Sequence, residues 1–422
     1  MEAVSKLPTA DPLFGLLRLP RTILFGNGQR AALGSISASL GRRALICTDS
    51  RFSAEPAFAA LLQSLKQAAV DVLVFDQVQP DIPRDTVLDC CDFARPFKPD
   101  QVIGIGGGSC LDMAKCAALI LAHGGRVEDY YGEFKVPGPT LPVIAMPTTA
   151  GTGSEVTPVA VLSDPDRVMK IGISSPHLIP QIAICDPELT ATCPPKLTAI
   201  AGADALTHAI EAFTTARREP DAMLSQQHVF VGKSALTDHF ALLAIRLLAR
   251  SLRRTVTDGS DLAARADVMM GAMAAGCAFG SAGTAAAHAI QYPIGALTHT
   301  AHGLGVATLL PYVMAYNLPA SAEDFAEIAR AMGIADSGRS DAMLADLAIE
   351  AVAQLFADIG IPADLAALGL PVDQQDWAAE QALTVGRLIK NNPRSIDLEA
   401  MKELVGAAFT GDRGSLITRS EA

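Results

Sequence analysis

Hydrophobic positions in the first half of the chain form short apolar runs that alternate with stretches of helical periodicity. The runs are rich in β-branched residues and predict strands at 43–49, 70–75, 101–105 and 141–145. Between them, apolar residues recur at helical spacing and predict helices at 54–69, 84–95 and 111–122. Strands that alternate with helices indicate a parallel sheet that is covered on both faces.

The strand pattern ends near Asp186-Pro187-Glu188-Leu189, and the rest of the chain is rich in Ala and Leu. Apolar spacing there predicts helices at 198–215, 222–232, 236–252, 261–278, 284–290, 303–316, 323–332, 341–357 and 376–389. Two domains are expected for a chain of 422 residues. We therefore predict an α/β domain over residues 1–187 and an all-helical domain over residues 188–422.

Residues 268–322 contain no Asp, Glu, Lys or Arg. A membrane-spanning helix needs about 20 apolar residues, and Gly276-Cys-Ala-Phe-Gly280 matches a packing motif of such helices. However, the run is built from Ala, Gly, Ser and Thr, includes His and Pro, and lacks basic flanks. We interpret it as helices buried at the centre of the helical domain, without a membrane.

Composition excludes several classes of partner. Half of the residues are hydrophobic and 18% are charged, which indicates a folded chain with a sizeable core. The net charge of -12 argues against nucleic acid and anionic membrane surfaces as partners. Eight scattered cysteines with no C-x-x-C pair, and an N-terminus without a signal-peptide pattern, predict a cytoplasmic location.

Two glycine-rich segments follow predicted strands. Gly106-Gly107-Gly108-Ser109 opens a helix, where a close backbone approach and free N–H groups suit a pyrophosphate. It is not a standard dinucleotide fingerprint, and alone it is equally typical of a tight turn. The segment 147–155, PTTAGTGSE, offers many hydroxyl donors, although a helix start capped by Thr152 or Ser154 has the same pattern. Together the two segments predict a phosphate-binding site.

Asp49 ends the first clear strand of the α/β part. A carboxylate there accepts hydrogen bonds from adenosine ribose hydroxyls and repels a 2′-phosphate, which favours NAD over NADP. The alternative is an Asx turn at the strand end.

Asp204 and His208 are four residues apart in a predicted helix and so share one face. His288 and His302 follow within the charge-free run. One aspartate and three histidines suit Fe2+ or Zn2+. Each residue also has an ordinary interpretation: Asp204 as a helix cap, the histidines as core or turn residues. Glu211 shares the face of Asp204 and is a candidate partner for a ligand.

The chain resembles the iron-containing (group III) alcohol dehydrogenases over almost its whole length. The motifs that carry the resemblance are IGIGGGSCLDMAK at 103–115, PTTAGTGSE at 147–155, GADALTHAIE at 202–211 and HGLGVATLLPYV at 302–313. It implies a Rossmann-like parallel-sheet nucleotide domain followed by an all-helical metal-binding domain, and a homodimer or higher homo-oligomer. It also implies Fe2+ at Asp204, His208, His288 and His302, although Zn2+ suits the same ligands.

The same resemblance implies an NAD site. Besides Asp49, Gly106, Gly107, Gly108 and Ser109, it assigns to the nucleotide Asp112, Thr148, Thr149, Thr152, Ser154, Lys170 and Leu189. A solvated surface role is the alternative for Lys170.

One position departs from the family pattern. Many members read His-Ala-Met-Ala-His-Pro where this chain reads His288-Ala-Ile-Gln-Tyr292-Pro. The second histidine is often given a role in proton movement or nicotinamide contact, whereas a tyrosine does not titrate near neutral pH. We predict catalytic roles for Tyr292 and His302.

The predicted function is metal-dependent, NAD(H)-linked interconversion of a small alcohol with its aldehyde or ketone in a cleft between the domains. The hydroxyacid–oxoacid transhydrogenases, which keep NAD bound, also have Tyr-Pro at this position, so that activity is an alternative. A dehydroquinate synthase-like lyase is disfavoured by the 202–211 and 302–313 motifs, and a non-catalytic binding protein by the intact ligand set.

Overall fold

Two sheets and five α-helices form the N-terminal part of the protein as far as its residues are described. A computed structural model describes residues 14–167 and 169–417. The strands are β1 (Thr22–Phe25), β2 (Arg43–Cys47), β3 (Asp71–Phe75), β4 (Gln101–Gly106), β5 (Gly132–Glu133), β6 (Val143–Pro147), β7 (Val159–Leu162), β8 (Ile171–Ser174) and β9 (Ile182–Cys185). The helices are α1 (Leu33–Leu40), α2 (Ser50–Ser53), α3 (Pro56–Gln67), α4 (Arg84–Ala94) and α5 (Gly108–His123).

The main sheet has the order β1-β9-β6-β4-β2-β3, and all of its strand pairs are parallel. Both faces are buried, as strand β2 shows. Ala44 and Ile46 pack into one core, whereas Leu45 and Cys47 pack into another. A smaller sheet, β5-β8-β7, has one parallel and one antiparallel pair.

The strand order reverses between β2 and β4. From β2 the chain adds β3 on one side and then returns to add β4, β6 and β9 on the other. In open α/β sheets ligands bind at such a switch point, outside the carboxyl ends of the strands. Asp49 follows β2 and the glycine segment follows β4, so the topology places both at this edge.

Helices form the C-terminal part, and no strand follows β9 in the described ranges. The helices are α6 (Pro195–Thr214), α7 (Leu224–Gln227), α8 (Ala235–Thr257), α9 (Leu262–Ala282), α10 (Ala286–Thr298), α11 (His302–Ala331), α12 (Asp341–Asp358), α13 (Gln375–Thr384), α14 (Gly386–Ile389), α15 (Leu398–Thr410) and α16 (Gly414–Ile417). One apolar core joins α6, α8, α9, α11 and α12, and a second joins α10, α11, α13 and α15.

Helix α9 lies at the centre of this part and is the helix of the described ranges that is long and apolar enough to cross a membrane. However, 72% of its most apolar window is buried inside the protein. Its packing is therefore that of a core helix, as expected for the charge-free run.

The fold class is confirmed, and so are the predicted strands that became β2, β3, β4 and β6.

The helix predicted at 222–232 is wrong beyond Gln227. His228, directly after Gln227, has the extended angles φ -130° and ψ 133°, which end the helix, and the Val231 N–H donates to the Ser281 carbonyl oxygen. The pattern also missed β1, β5, β7, β8 and β9, which have two to four residues each and are too short to show alternation. The domain boundary at 187 stays a prediction.

Candidate active site

Three helices bring the four predicted metal ligands together. Asp204 and His208 lie on α6, His288 lies on α10, and His302 is the first residue of α11. One nitrogen or oxygen atom of each residue lies within 4.8 Å of the corresponding atoms of the other three. Asp204 Oδ1 is 3.7 Å from His208 Nε2 and 3.9 Å from His288 Nε2. Ligand atoms around a tetrahedral metal at about 2.1 Å lie about 3.4 Å apart, so small shifts would close the set.

Glycine makes the approach of α11 to α6 possible. A Cβ atom at Gly303 would lie 2.6 Å from the Ile200 carbonyl oxygen and 2.9 Å from Asp204 Cβ. Any side chain there would push the start of α11 away, and His302 with it. Gly303, which in the sequence is equally typical of a turn, is therefore needed so that α11 can pack closely against α6 and bring His302 to the other ligands.

Glu211 fixes the orientation of His288. Its Oε2 atom is 2.6 Å from His288 Nδ1, and its two carboxylate oxygens accept hydrogen bonds from the backbone N–H groups of Ala285 and Ala287. Held in this way, Nδ1 carries the proton and Nε2 presents its lone pair to the ligand set. A carboxylate behind a ligand histidine is the usual way to orient it and raise its basicity.

Burial changes the pKa values of the other three ligands, His208, His302 and Asp204, in a way that favours binding of a cation. It holds the pKa values of His208 and His302 well below their ordinary range, so both imidazoles are neutral and have a free lone pair. It also raises the pKa of Asp204 to about 6. Asp204 Oδ1 and His288 Nε2 are buried and have no hydrogen-bond partner. Buried polar atoms are normally paired, so this donor set fits a divalent metal ion.

The ligands line a cleft of about 220 Å³ between the two parts of the chain. Gly108, Ser109 and Thr152 line it from the α/β part, and Phe230 and Phe279 from the helical part. The ring of Phe279 stacks on His208 at 4.3 Å between centroids. The cleft therefore connects the glycine and threonine segments with the four predicted metal ligands, and its walls are largely apolar.

The glycine and threonine segments pack directly against each other at the ends of the adjacent strands β4 and β6. A Cβ atom at Gly108 would lie 2.5 Å from Thr152 Cγ2, and one at Gly107 would lie 3.5 Å from Thr149 Oγ1. Thr148 Oγ1 is buried and has no hydrogen-bond partner. The start of α5 and the threonine hydroxyls after β6 therefore lie side by side, and backbone N–H groups beside hydroxyls are a donor set that fits a pyrophosphate.

Asp49 has a second role besides its position at the switch point. It caps α2, where one carboxylate oxygen accepts a hydrogen bond from Phe52 N, as the Asx alternative predicted. The other oxygen is 3.6 Å from Cys110 Sγ, in the first turn of α5, beside the glycine segment. The two interpretations of Asp49 are therefore compatible.

The other residues assigned to the nucleotide by resemblance differ in position. Asp112 accepts hydrogen bonds from Ser154 Oγ at 2.5 Å and Val161 N at 2.9 Å, and the pair lines the cleft. Lys170 also lines it, paired with Asp81 at 2.6 Å. Leu189 packs into the core of the α/β part. The predicted nucleotide residues that lie outside the lining of the cleft, at or just after the carboxyl ends of β2, β4 and β6, are Asp49, Gly106, Gly107, Thr148 and Thr149.

Comparison with known proteins decides the family. Residues 20–187 match the model for iron-containing alcohol dehydrogenase, and residues 198–409 match the model for the C-terminal part of that family. The chain belongs to the iron-containing alcohol dehydrogenases. It is therefore an enzyme, an oxidoreductase of alcohols and aldehydes.

Relatives of this dehydrogenase extend over its whole fold. The 1,3-propanediol dehydrogenase of Citrobacter freundii is 38% identical over 93% of this chain and 98% of its own. A crystal structure of 1,3-propanediol oxidoreductase matches with a TM-score of 0.86 at 35% identity, over 93% and 99% of the two chains. The sulfoacetaldehyde reductase of Bifidobacterium kashiwanohense, solved in complex with NAD+, matches with a TM-score of 0.80 at 28% identity, over 94% and 99%.

Tyr292, the departure from the family pattern, lines the dehydrogenase cleft next to the ligands. Its ring lies 6.0 Å from that of His302, centroid to centroid. Burial raises its pKa, so the phenol stays protonated. Within the described ranges its hydroxyl makes no hydrogen bond, which leaves a donor free inside the cleft.

Sequence reasoning missed several cleft residues, above all Arg387. The helix predicted at 376–389 is interrupted at Val385, and the short helix α14 that follows brings Arg387 to the cleft wall. Its guanidinium lies 4.6 Å from the centre of the Phe230 ring. Neither residue stands in a recognisable motif. Arg387 reaches the cleft wall because the helix breaks at Val385, and the apolar periodicity of the sequence did not predict this break.

Proposed function

We propose that this enzyme catalyses NAD(H)-linked interconversion of a small alcohol with its aldehyde or ketone at a divalent metal, Fe2+ or Zn2+. The observation that carries the proposal is the ligand set of Asp204, His208, His288 and His302, with two buried and unpartnered ligand atoms, at the wall of the same cleft as the glycine and threonine segments.

Different residues of the cleft would bind the metal, the nucleotide and the substrate. A metal held by the four ligands supplies a Lewis acid, and bound NAD supplies the carrier of the hydride. The loops at Gly108 and Thr152 hold the pyrophosphate, while Phe230 and Phe279 keep water from the reacting atoms. We assign to the Tyr292 hydroxyl, which lines the cleft, a hydrogen bond to the substrate oxygen. In the reducing direction an aldehyde, NADH and a proton give an alcohol and NAD+.

We also propose NADH as the preferred nucleotide, because the Asp49 carboxylate beside the glycine segment repels a 2′-phosphate. A kcat/KM for NADPH equal to or above that for NADH would contradict this. The cytoplasmic location and the homo-oligomer remain predictions, to be tested by fractionation and by the mass of the purified protein in solution.

The metal assignment is tested by removing ligands. We expect purified protein to contain one tightly held divalent metal per chain, measured by elemental analysis, and to oxidise NADH with small aldehydes. His208→Ala and His302→Ala should lose both metal and activity but keep a native circular dichroism spectrum. Glu211→Gln keeps the ligands but weakens the hydrogen bond to His288 Nδ1, so metal affinity should fall roughly 10- to 100-fold.

A matched control is available in the same chain. His123 lies at the end of α5, and its Nε2 is within hydrogen-bond distance of the Gly138 and Pro139 carbonyl oxygens. His123→Ala should keep full metal content and activity. Full metal occupancy in a variant that lacks both His208 and His302 would disprove the assignment.

The transhydrogenase alternative has a distinct signature. Such an enzyme would turn over with a trace of bound NAD, provided that a hydroxy acid and an oxo acid are both present. Steady oxidation of excess NADH by an aldehyde alone would exclude it.

A further inference from the structure

The cleft contains one cation that the proposed chemistry does not use. Apart from the three histidines and Tyr292, four other titratable residues line it: Asp81, Asp112, Lys170 and Asp204. Asp81 is paired with Lys170, Asp112 is held by Ser154 and Val161 N, and Asp204 belongs to the ligand set. The Arg387 guanidinium has no carboxylate partner within residues 14–167 and 169–417.

Arg387 is held in place without being neutralised. Its guanidinium lies over the ring of Phe230, which is 3% exposed, in a cation–π contact at 4.6 Å. This contact fixes the planar group and leaves its N–H donors free. Arg387 also lies close enough to Tyr292 to lower the pKa of that phenol, against the larger effect of burial. A fixed, half-buried guanidinium is suited to a carboxylate, which it binds with two parallel hydrogen bonds.

The approach to Arg387 from outside is also basic. A wider cavity, which shares Lys170, Tyr292 and Arg387 with the cleft, is lined in addition by Lys135 and Arg167. Its acidic residues are already engaged: Glu128 pairs with Arg84 and Arg126, and Glu133 accepts a hydrogen bond from Val229 N. With four basic and two acidic residues in its described lining, the cavity has an excess of positive charge, which raises the local concentration of anions.

We propose that the substrate of this enzyme carries an anionic group, and that Arg387 binds it while the carbonyl end is at the metal ligands. The substrate class is then a short aldehyde that bears a carboxylate at its other end. The inference rests on the proposed function, since it assigns a second binding point in the same cleft. The anionic group takes no part in the redox step: the aldehyde, NADH and a proton still give the alcohol and NAD+.

Matched pairs of aldehydes test this directly. Glyoxylate, 3-oxopropanoate and 4-oxobutanoate are compared with acetaldehyde, propanal and butanal under saturating NADH. We expect the best anionic aldehyde to exceed its neutral partner at least tenfold in kcat/KM. Arg387→Gln should lower kcat/KM for that anion by about 30-fold or more, mainly through KM, and for the neutral partner by less than about threefold. Arg387→Lys, which keeps the charge but loses the planar fork, should give an intermediate loss.

The control for net charge is Arg246→Gln, since Arg246 is exposed on α8 and lines neither cavity. It should behave as the unmodified enzyme with every aldehyde. An equal loss for anionic and neutral aldehydes in Arg387→Gln, or a preference of the unmodified enzyme for butanal, would overturn the proposal. So would a rise in the KM for NADH alone, which would assign Arg387 to the nucleotide.

A binding measurement separates this proposal from the proposed function. Calorimetry of the metal-loaded enzyme with butyrate, which cannot be reduced by NADH, should show binding that Arg387→Gln abolishes and Arg246→Gln retains. This result would support the anion site even if no aldehyde were turned over, in which case only the proposed activity would fail. No binding of butyrate to the unmodified enzyme would overturn the anion site.

Discussion

At the scale of single residues, hydrogen bonding decides how the ligands are presented. His288 is oriented by a carboxylate that is itself held by two backbone N–H groups, so its position depends on Glu211 as much as on α10. Tyr292 is the opposite case, because its hydroxyl is inside the cleft and makes no hydrogen bond within the described residues. Tyr292 is half-buried at the cleft wall, so its free hydroxyl can donate a hydrogen bond to a bound substrate.

We therefore expect Tyr292→Phe to lower kcat by roughly tenfold or more, about 1.4 kcal/mol of transition-state stabilisation. Steady-state kinetics with the best aldehyde measure this. Tyr292→His restores the residue common in the family and should raise activity on short primary alcohols. Unchanged kinetic constants for both variants would show that Tyr292 only fills space.

Tyr312→Phe is the matched control for loss of a phenol hydroxyl. The Tyr312 hydroxyl donates to the Ala363 carbonyl oxygen at 2.6 Å, away from the cleft. This variant should lose about 1 kcal/mol of unfolding free energy and keep its turnover.

At the scale of elements, α9 and the threonine segment make a close contact beside the cleft, which Thr152 and Phe279 line. Gly153 has φ 60°, and a Cβ atom there would lie 2.6 Å from Gly276 Cα. A Cβ atom at Gly276 would in turn lie 2.7 Å from Val156 Cγ2 and 2.9 Å from the Gly153 carbonyl oxygen. The Gly-x-x-x-Gly pattern at 276–280, which resembled a membrane motif, thus allows α9 of the helical part to pack closely against the α/β part.

Gly276→Ala should move the threonine segment away from α9. We expect an unfolding free energy lower by about 1–3 kcal/mol, as for other overpacked sites, and a higher KM for NADH. Denaturant unfolding and kinetics measure the two effects.

Gly406→Ala, on α15, is the control, because its Cβ atom would meet only Gln375 Oε1, at 3.9 Å. Here the better helix propensity of alanine should leave stability equal or higher by up to about 1 kcal/mol. Equal stability and equal KM for NADH in Gly276→Ala and the unmodified enzyme would show that this contact is not tight.

At the scale of the whole molecule, a buried carboxyl lies where the two parts meet. Glu155 is 3% exposed and lies near Lys115 of α5, Cys185 of β9 and Cys277 of α9. Burial raises its pKa from 4.5 to about 7. The folded protein therefore favours the protonated, neutral form of Glu155. The contribution of this group to the free energy of unfolding is fully present at pH 4.5 and is lost as the pH rises through 7, where the buried carboxyl ionises.

Glu155→Gln, which stays neutral at every pH, should remove this dependence. Relative to the unmodified protein, we expect little difference in unfolding free energy near pH 4.5 and a gain approaching about 3 kcal/mol at pH 8. Urea titrations of both metal-free proteins at several pH values measure the difference, in which the contributions of other titrating groups largely cancel. A difference that does not grow with pH would contradict a neutral Glu155 in the folded protein.

Local patterns in the sequence were sufficient for much of this protein. The β-branched runs predicted β2, β3, β4 and β6, which are the strands of the main sheet with five or six residues and so are long enough to show a strand pattern. The spacing of Asp204 and His208 predicted their shared face, because helix geometry is local. The resemblance of four motifs indicated the family, which the comparisons confirm.

Contacts between distant segments were decided only by the tertiary structure. The convergence of His288 and His302 on α6 depends on packing at Gly303, and the position of Arg387 depends on a break at Val385 that periodicity does not predict. The strands of two to four residues form because a neighbouring strand supplies their hydrogen bonds, a partner that no local window contains. Local propensity therefore specified the longer strands and most of the helices, whereas the cleft and the charge inside it arise from long-range packing.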